Sequence, residues 1–209
     1  MAITVQQVYD KFARYKKDVS DVTDALFIDW CDTIHKDLYR RLGSVDSERF
    51  ISEYTYTNPT ATSYALPAGF NMMDVLGTGL YFYDSVQGKI TDKRLPVTGP
   101  GSALLGYYIS GSNIVFTGEG QGTQTYIMRY MPSPTAIDAM TDYFTVDTLS
   151  NGKVIVEDEF IDVLVKAVDV QYCQWDEDPQ AEANASQRYA QVLSDMEGNY
   201  KRTPMVFGI

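Results

Sequence analysis

His35 is the only histidine in the 209-residue chain, and it stands four residues after Cys31. On a helix that spacing puts both side chains on one face, as some zinc sites require. The one other soft ligand is Cys173. Two ligands and a distant third do not make a metal centre, and the positions around His35 read as core. Any Ser-His or Cys-His nucleophile would also have to use His35, and nothing near it resembles a nucleophile elbow. No catalytic, cofactor-binding or metal-binding residue is therefore expected.

Other chemistry-bearing patterns fail for stated reasons. Gly118-Glu119-Gly120-Gln121-Gly122 is glycine-rich, but a phosphate loop must open a helix. A β-like run, Thr123 to Tyr130, follows instead, so a hairpin turn is expected. Asp147 to Asp158 has Gly152 at the sixth position of a calcium loop, yet Leu149 occupies a ligand position and Asp158 stands where Glu is usual. Acidic runs 157–159 and 176–178 could pair for glycoside cleavage, but both sit at expected helix ends, where solvated acids are ordinary. Asn184-Ala185-Ser186 has the form of a glycosylation acceptor, without an expected secretion signal to give it meaning.

The elements that must position these residues follow from periodicity. Thr4, then Val5, Val8, Phe12 and Tyr15, predict a short amphipathic helix ending near Lys17. Phe27, Trp30, Cys31, Ile34, Leu38 and Leu42 predict a helix over 21–42, with Ser20 as cap and Gly43 as its αL stop. From Glu48 to about Pro134 the grammar is β: Tyr54 and Tyr56 alternate with polar residues, and 73–83, 107–116 and 123–130 are further runs. Gly111-Ser112-Asn113 marks a hairpin. Residues 84–106, with several Gly and Pro, are expected to form a long, partly mobile loop. Helical grammar returns over 157–176, where the apolar stripe is too wide for one wet side and calls for cover. Pro179 opens a further helix, 179–201.

The expected fold class is α+β: an α-helical bundle with an inserted antiparallel β domain and an extended C-terminal tail. The expected boundaries are 1–47 for the first bundle helices, 48–150 for the β-rich insert, 151–201 for the last bundle helices and 202–209 for the tail.

Composition bounds the function. The chain has 17 Lys and Arg against 28 Asp and Glu, a formal net charge of −11. That disfavours tight wrapping of nucleic acid and suits a conduit that DNA slides past. No apolar run approaches the ~20 residues a bilayer crossing needs, so no membrane partner is expected. Sixteen tyrosines suit contact surfaces or half-exposed strands equally. The two cysteines are expected to be buried, reduced thiols.

The second half resembles the head-to-tail adaptor (connector) proteins of tailed bacteriophages. The resemblance is carried by Ser63-Tyr64-Ala65-Leu66-Pro67-Ala68-Gly69-Phe70, by Tyr107-Tyr108-Ile109-Ser110-Gly111-Ser112-Asn113-Ile114-Val115-Phe116, and by Met128-Arg129-Tyr130-Met131-Pro132. The acidic helix start Glu157-Asp158-Glu159-Phe160, whose helix runs to Tyr172, and a last helix with Ala185, Tyr189 and Met196 complete it. The order of these motifs spans nearly the whole chain; the long 84–106 segment departs from the pattern. The resemblance implies a homo-oligomeric ring, usually twelvefold, in the virion neck under the portal protein, after synthesis in the host cytoplasm. It implies a sealed DNA channel, without sequence-specific binding, and a platform for downstream tail or neck proteins. Pro204, Met205, Val206, Phe207 and Ile209 are then the candidate portal-docking residues. Asp169, Asp176, Glu177 and Asp178 are candidate channel-lining acids. Loop 84–106 is a candidate contact with the next tail component. Two other classes stay open: a β-rich carbohydrate-binding module using tyrosines as stacking platforms, and an enzyme whose carboxylates converge from distant segments.

Overall fold

The computed structural model describes residues 2–16, 18–45, 50–57, 63–73, 78–118, 124–146 and 153–202. These fall into two compact units, one of Met1–Asp46 with Pro134–Ile209 and one of Ser47–Ser133. The expected α+β class, with helices in one part and antiparallel strands in the other, is what the chain adopts. The insert ends at Ser133, however, not at 150. Residues 137–146 belong with the helices because their backbone is bonded to the N-terminal segment: Phe144 N–H donates to the Ile3 carbonyl at 3.1 Å and Val5 N–H to that of Asp142 at 3.0 Å.

In the helical unit, α1 spans Val5–Lys16 and buries Val5, Val8 and Phe12. The Thr4 hydroxyl accepts from Gln7 N–H, and the Gln7 side chain accepts from Thr4 N–H in return. That reciprocal arrangement satisfies two of the first-turn donors. Helix α2 runs Asp24–Val45. Its cap is Thr23, whose hydroxyl accepts from Leu26 N–H, not Ser20, which bonds Asp18 instead. Nor does Gly43 end the helix. It is buried within it, and the Ser44 hydroxyl donates to the Arg41 carbonyl to satisfy the last turn.

A 3-10 turn at Asp158–Phe160 leads into α3, Ile161–Trp175, and α4 follows at Pro179–Arg202. Helix α3 buries Val163, Leu164, Val165, Ala167, Val168 and Cys173. The cover its wide apolar surface calls for comes from α1, α2 and α4 of the same chain. Aromatic contacts mark these seams: Phe12 meets Tyr172 at 5.7 Å, and Trp30 meets Trp175 at 6.3 Å between centroids.

In the β unit, strands β1 (Ser52–Thr57), β8 (Thr125–Pro132), β4 (Gly79–Asp84) and β5 (Lys89–Arg94) form one sheet in that order, and β3 (Phe70–Met72) also pairs with β8. All these pairings are antiparallel. The first and last strands of the insert lie side by side, with Ser52 opposite Tyr130. A second sheet has the order β2 (Ser63–Ala65), β7 (Asn113–Thr117), β6 (Gly106–Ser110). The β6–β7 turn is two residues long, with Ser110 opposite Asn113 and Gly111 at φ 59°, as a tight hairpin requires. The core of this unit holds Leu80, Leu95, Ile114, Phe116 and Met128 with Tyr56, Tyr107, Tyr126 and Tyr130. Strands β9 (Thr145–Val146) and β10 (Lys153–Val154) form a short pair in the helical unit.

The first half of the expected long loop at 84–106 is a β-hairpin. Residues 84–94 complete the β4–β5 hairpin, whose turn is fixed by the Asp84 carboxylate accepting from Val86 and Gln87 N–H. The remainder is pinned to the sheets. Leu95 N–H donates to the Leu80 carbonyl, and Thr98 N–H to that of Tyr107. The Thr117 hydroxyl donates to the Leu104 carbonyl at 2.8 Å. The run expected at 73–83 begins as a strand only at Gly79, with 74–77 outside the described residues.

Candidate functional site

Charge divides unevenly between the units. Residues 47–133 hold six acidic and five basic residues, which leaves 22 acidic and 12 basic to the helical unit. Ten of the eleven net negative charges thus belong to the helical unit.

Three consecutive exposed acids stand at its α3–α4 turn, as three do at Glu157–Glu159 before α3. Asp176 ends α3, its N–H donating to the Tyr172 carbonyl at 2.9 Å. Glu177 reverses the chain at φ 54°, a conformation that L side chains rarely adopt. Asp178 then caps α4, one carboxylate oxygen accepting from Gln180 N–H at 3.1 Å and Ala181 N–H at 2.9 Å. All three side chains are exposed. The structure brings Asp176, Glu177 and Asp178 together and separates them from the fourth candidate.

Asp169 is 1% exposed, and a carboxylate so placed presents no charge to a channel. It lies 2.7 Å from Lys16 Nζ, with Cys173 Sγ 3.7 Å from the same nitrogen. Lys16 also stands over the Tyr172 ring at 4.8 Å. Burial works against its charge, but the hydrogen bond and charge of Asp169 outweigh it and hold the ammonium above its ordinary value. Further along the same seam, Lys11 pairs with Asp162 at 2.9 Å, and Lys166 lies 3.6 Å above the Tyr15 ring. Arg188 of α4 donates to the Tyr15 hydroxyl at 2.8 Å. The arrangement fastens α1 to α3 and α4. Sequence carried no signal for it, since an Asp on the apolar side of a helix reads as a solvated acid until its partner from a distant helix is known.

His35 and Cys31 are both fully buried in α2. Burial pushes the Cys31 thiol up and lowers His35 to about 4. Among the described residues no group of three His, Cys, Asp or Glu side chains could hold a metal ion. No helix among them is long and apolar enough to cross a membrane.

In the β unit an open depression of about 480 Å³ is lined by Phe82, Tyr83, Asp84, Ser85, Thr91, Lys93, Gln124 and Thr125. Its aromatic floor is already occupied: Lys93 Nζ stands 4.9 Å over the Phe82 ring. Tyr56, Tyr107, Tyr126 and Tyr130 face the core, so these four tyrosines serve packing rather than sugar stacking. The docking candidates Pro204, Met205, Val206, Phe207 and Ile209 lie outside the described residues, as do residues 119–122 of the glycine run, Thr123 after it, and 147–152 of the calcium-like segment.

No curated protein matches the chain. The family model described as SU10 adaptor protein matches residues 3–206, covering both the helical unit and the β insert. The chain belongs to the SU10 adaptor protein family, the adaptors of phage particles.

Proposed function

We propose that this protein is a non-enzymatic structural adaptor of the phage neck. In this reading, copies of the chain form a ring, twelvefold by the resemblance, beneath the portal, extend the DNA channel and present a platform for downstream tail or neck proteins. The observation that carries it is the family match over 3–206, which spans the bundle and its insert as one. The charge distribution supports it. A helical unit bearing the excess acid, with Asp176, Glu177 and Asp178 exposed at one turn, repels the DNA backbone, so DNA passes without sticking. Those three residues are the proposed channel-facing acids. Pro204, Met205, Val206, Phe207 and Ile209 are the proposed contacts with the portal: a short apolar segment without charge suits a groove on a partner.

The test is negative-stain imaging of the purified protein alone and mixed with isolated portal rings. Free rings, or portals carrying an added density layer, are the expected result. Bare portals beside strictly monomeric protein overturn the reading. A variant lacking 203–209 should remain folded and leave portals bare; undiminished decoration would remove the tail from the docking role while leaving the adaptor reading intact.

A further inference from the structure

The buried surroundings of His35 supply an inference independent of the adaptor reading. Three segments of the helical unit are bonded together near this residue. Phe144 N–H donates to Ile3, Ile155 N–H to Phe144, and Val5 and Gln6 N–H to the carbonyls of Asp142 and Met140, all between 2.8 and 3.1 Å. The segment 134–146, which returns the chain from the β insert, is thus the common partner of the N-terminal segment, the start of α1 and the residues that follow β10. Asp32 and His35 both tie this segment to α2. Asp32 accepts from Ile137 N–H at 3.2 Å, and one turn on, the His35 ring packs edge-on against Phe144 at 5.7 Å.

The ring has no exposure, and among the described residues its nitrogens meet only backbone groups of Thr145 and Thr135, neither in full hydrogen-bond geometry; the Thr135 hydroxyl is likewise buried without a partner. Native interiors seldom leave such groups unmatched. A neutral imidazole tolerates the site as a flat apolar body, whereas an imidazolium must be solvated or paired. We propose that His35 is an acid-sensitive pin, and that protonating its ring releases segment 134–146 from α2 and with it the N-terminal segment and the first turn of α1.

The charged groups acting on the ring are both on α2: Asp32, which favours the imidazolium, and Lys36, which opposes it. Backbone groups of Thr145 and Thr135 also favour the charged form, but burial outweighs them all. On the return segment, Asp142 is turned to the Asp138 and Ala139 N–H groups. A site that holds His35 neutral down to about 4, against an ordinary 6.5, is stable above 6.5 and loses stability as the pH falls from there toward 4. The opened state then takes up the proton first.

Hydrogen exchange of the full chain at about pH 7.5 and about pH 5, corrected for intrinsic rates, tests this. The opening constant for the Gln6, Phe144 and Ile155 amides should rise about 30-fold at the lower pH. His35→Phe should abolish the rise, and His35→Gln, which keeps a neutral polar side chain and avoids the larger ring of Phe, should abolish it as well. An equal rise in both variants overturns the proposal. So does a His35 ring that titrates near 6.5, followed by its carbon-bound protons in NMR, while the three amides stay protected.

Discussion

Lys16 Nζ and Asp169 Oδ1, 2.7 Å apart, join the last turn of α1 to the middle of α3 through a carboxylate side chain only 2% exposed. A buried pair of this kind contributes little over an apolar pair of the same shape, yet breaking it is costly because one charge is left unmatched. Lys16 is 23% exposed, which moderates the cost. Lys16→Met should lower the unfolding free energy by about 2–4 kcal/mol, read from urea midpoints at unchanged slope. The double variant Lys16→Met with Asp169→Leu should recover most of that loss. Equal losses in the single and double variants would show that packing, and not the stranded charge, sets the effect.

The same pair gives a pH signature. The Lys16 ammonium is held above its ordinary 10.5. Its contribution is complete below 10.5 and is lost as the pH rises through the raised folded value. Wild type should therefore destabilise more steeply above about pH 10.5 than Lys16→Met, measured by denaturant unfolding across the alkaline range.

Gly118 adopts φ +78°, and an added Cβ would meet the Leu104–Leu105 backbone at 2.4–2.7 Å. Both conformation and space exclude a side chain there. Gly118→Ala should cost about 2 kcal/mol or more. The loss should register in near-ultraviolet signals from the tyrosine-rich β core at lower temperature than in helical dichroism. A coincident, unshifted transition would mean that the 104–105 backbone gives way.

Asp178 caps α4 through two N–H groups. Asp178→Ala should cost about 1 kcal/mol, and Asp178→Asn a few tenths, by thermal melts. Charge-neutral variants of Asp176 and Glu177 should leave stability within about 0.5 kcal/mol, so any effect of theirs on DNA passage is separable from folding.

Cys31 lies fully buried with its thiol driven up by burial. Alkylation in native buffer should modify Cys31 only at the rate of unfolding; rapid native labelling would contradict the packing of α2.

The helices were legible because their burial follows a 3.6-residue period, as Val5, Val8 and Phe12 do in α1. The stop signal at Gly43 misled because a helical glycine can serve close packing as well as termination, and here it is buried inside the helix. Strand β5, Lys89–Arg94, was hidden in an expected loop because it is an edge strand carrying Lys89, Asp92, Lys93 and Arg94. Such charges guard an open edge and erase the alternation by which strands are read. Of the candidate site, the run Asp176 to Asp178 was visible because helix ends concentrate exposed acids. Asp169 was not, because its role depends on a lysine contributed by another helix.

The register of β1 against β8 reaches beyond the β unit itself. Because Ser52 faces Tyr130, the chain enters and leaves the insert on neighbouring strands, whose paired Cα atoms stand about 5 Å apart. The helical unit consequently sees the 87 residues between Asp46 and Pro134 as little more than a tight loop, whatever their length, and closing such a loop is cheap. The insert is in effect a cassette: its tips can be lengthened, shortened or exchanged while the scaffold that bears it keeps its own core, so one bundle can be fitted with many different heads.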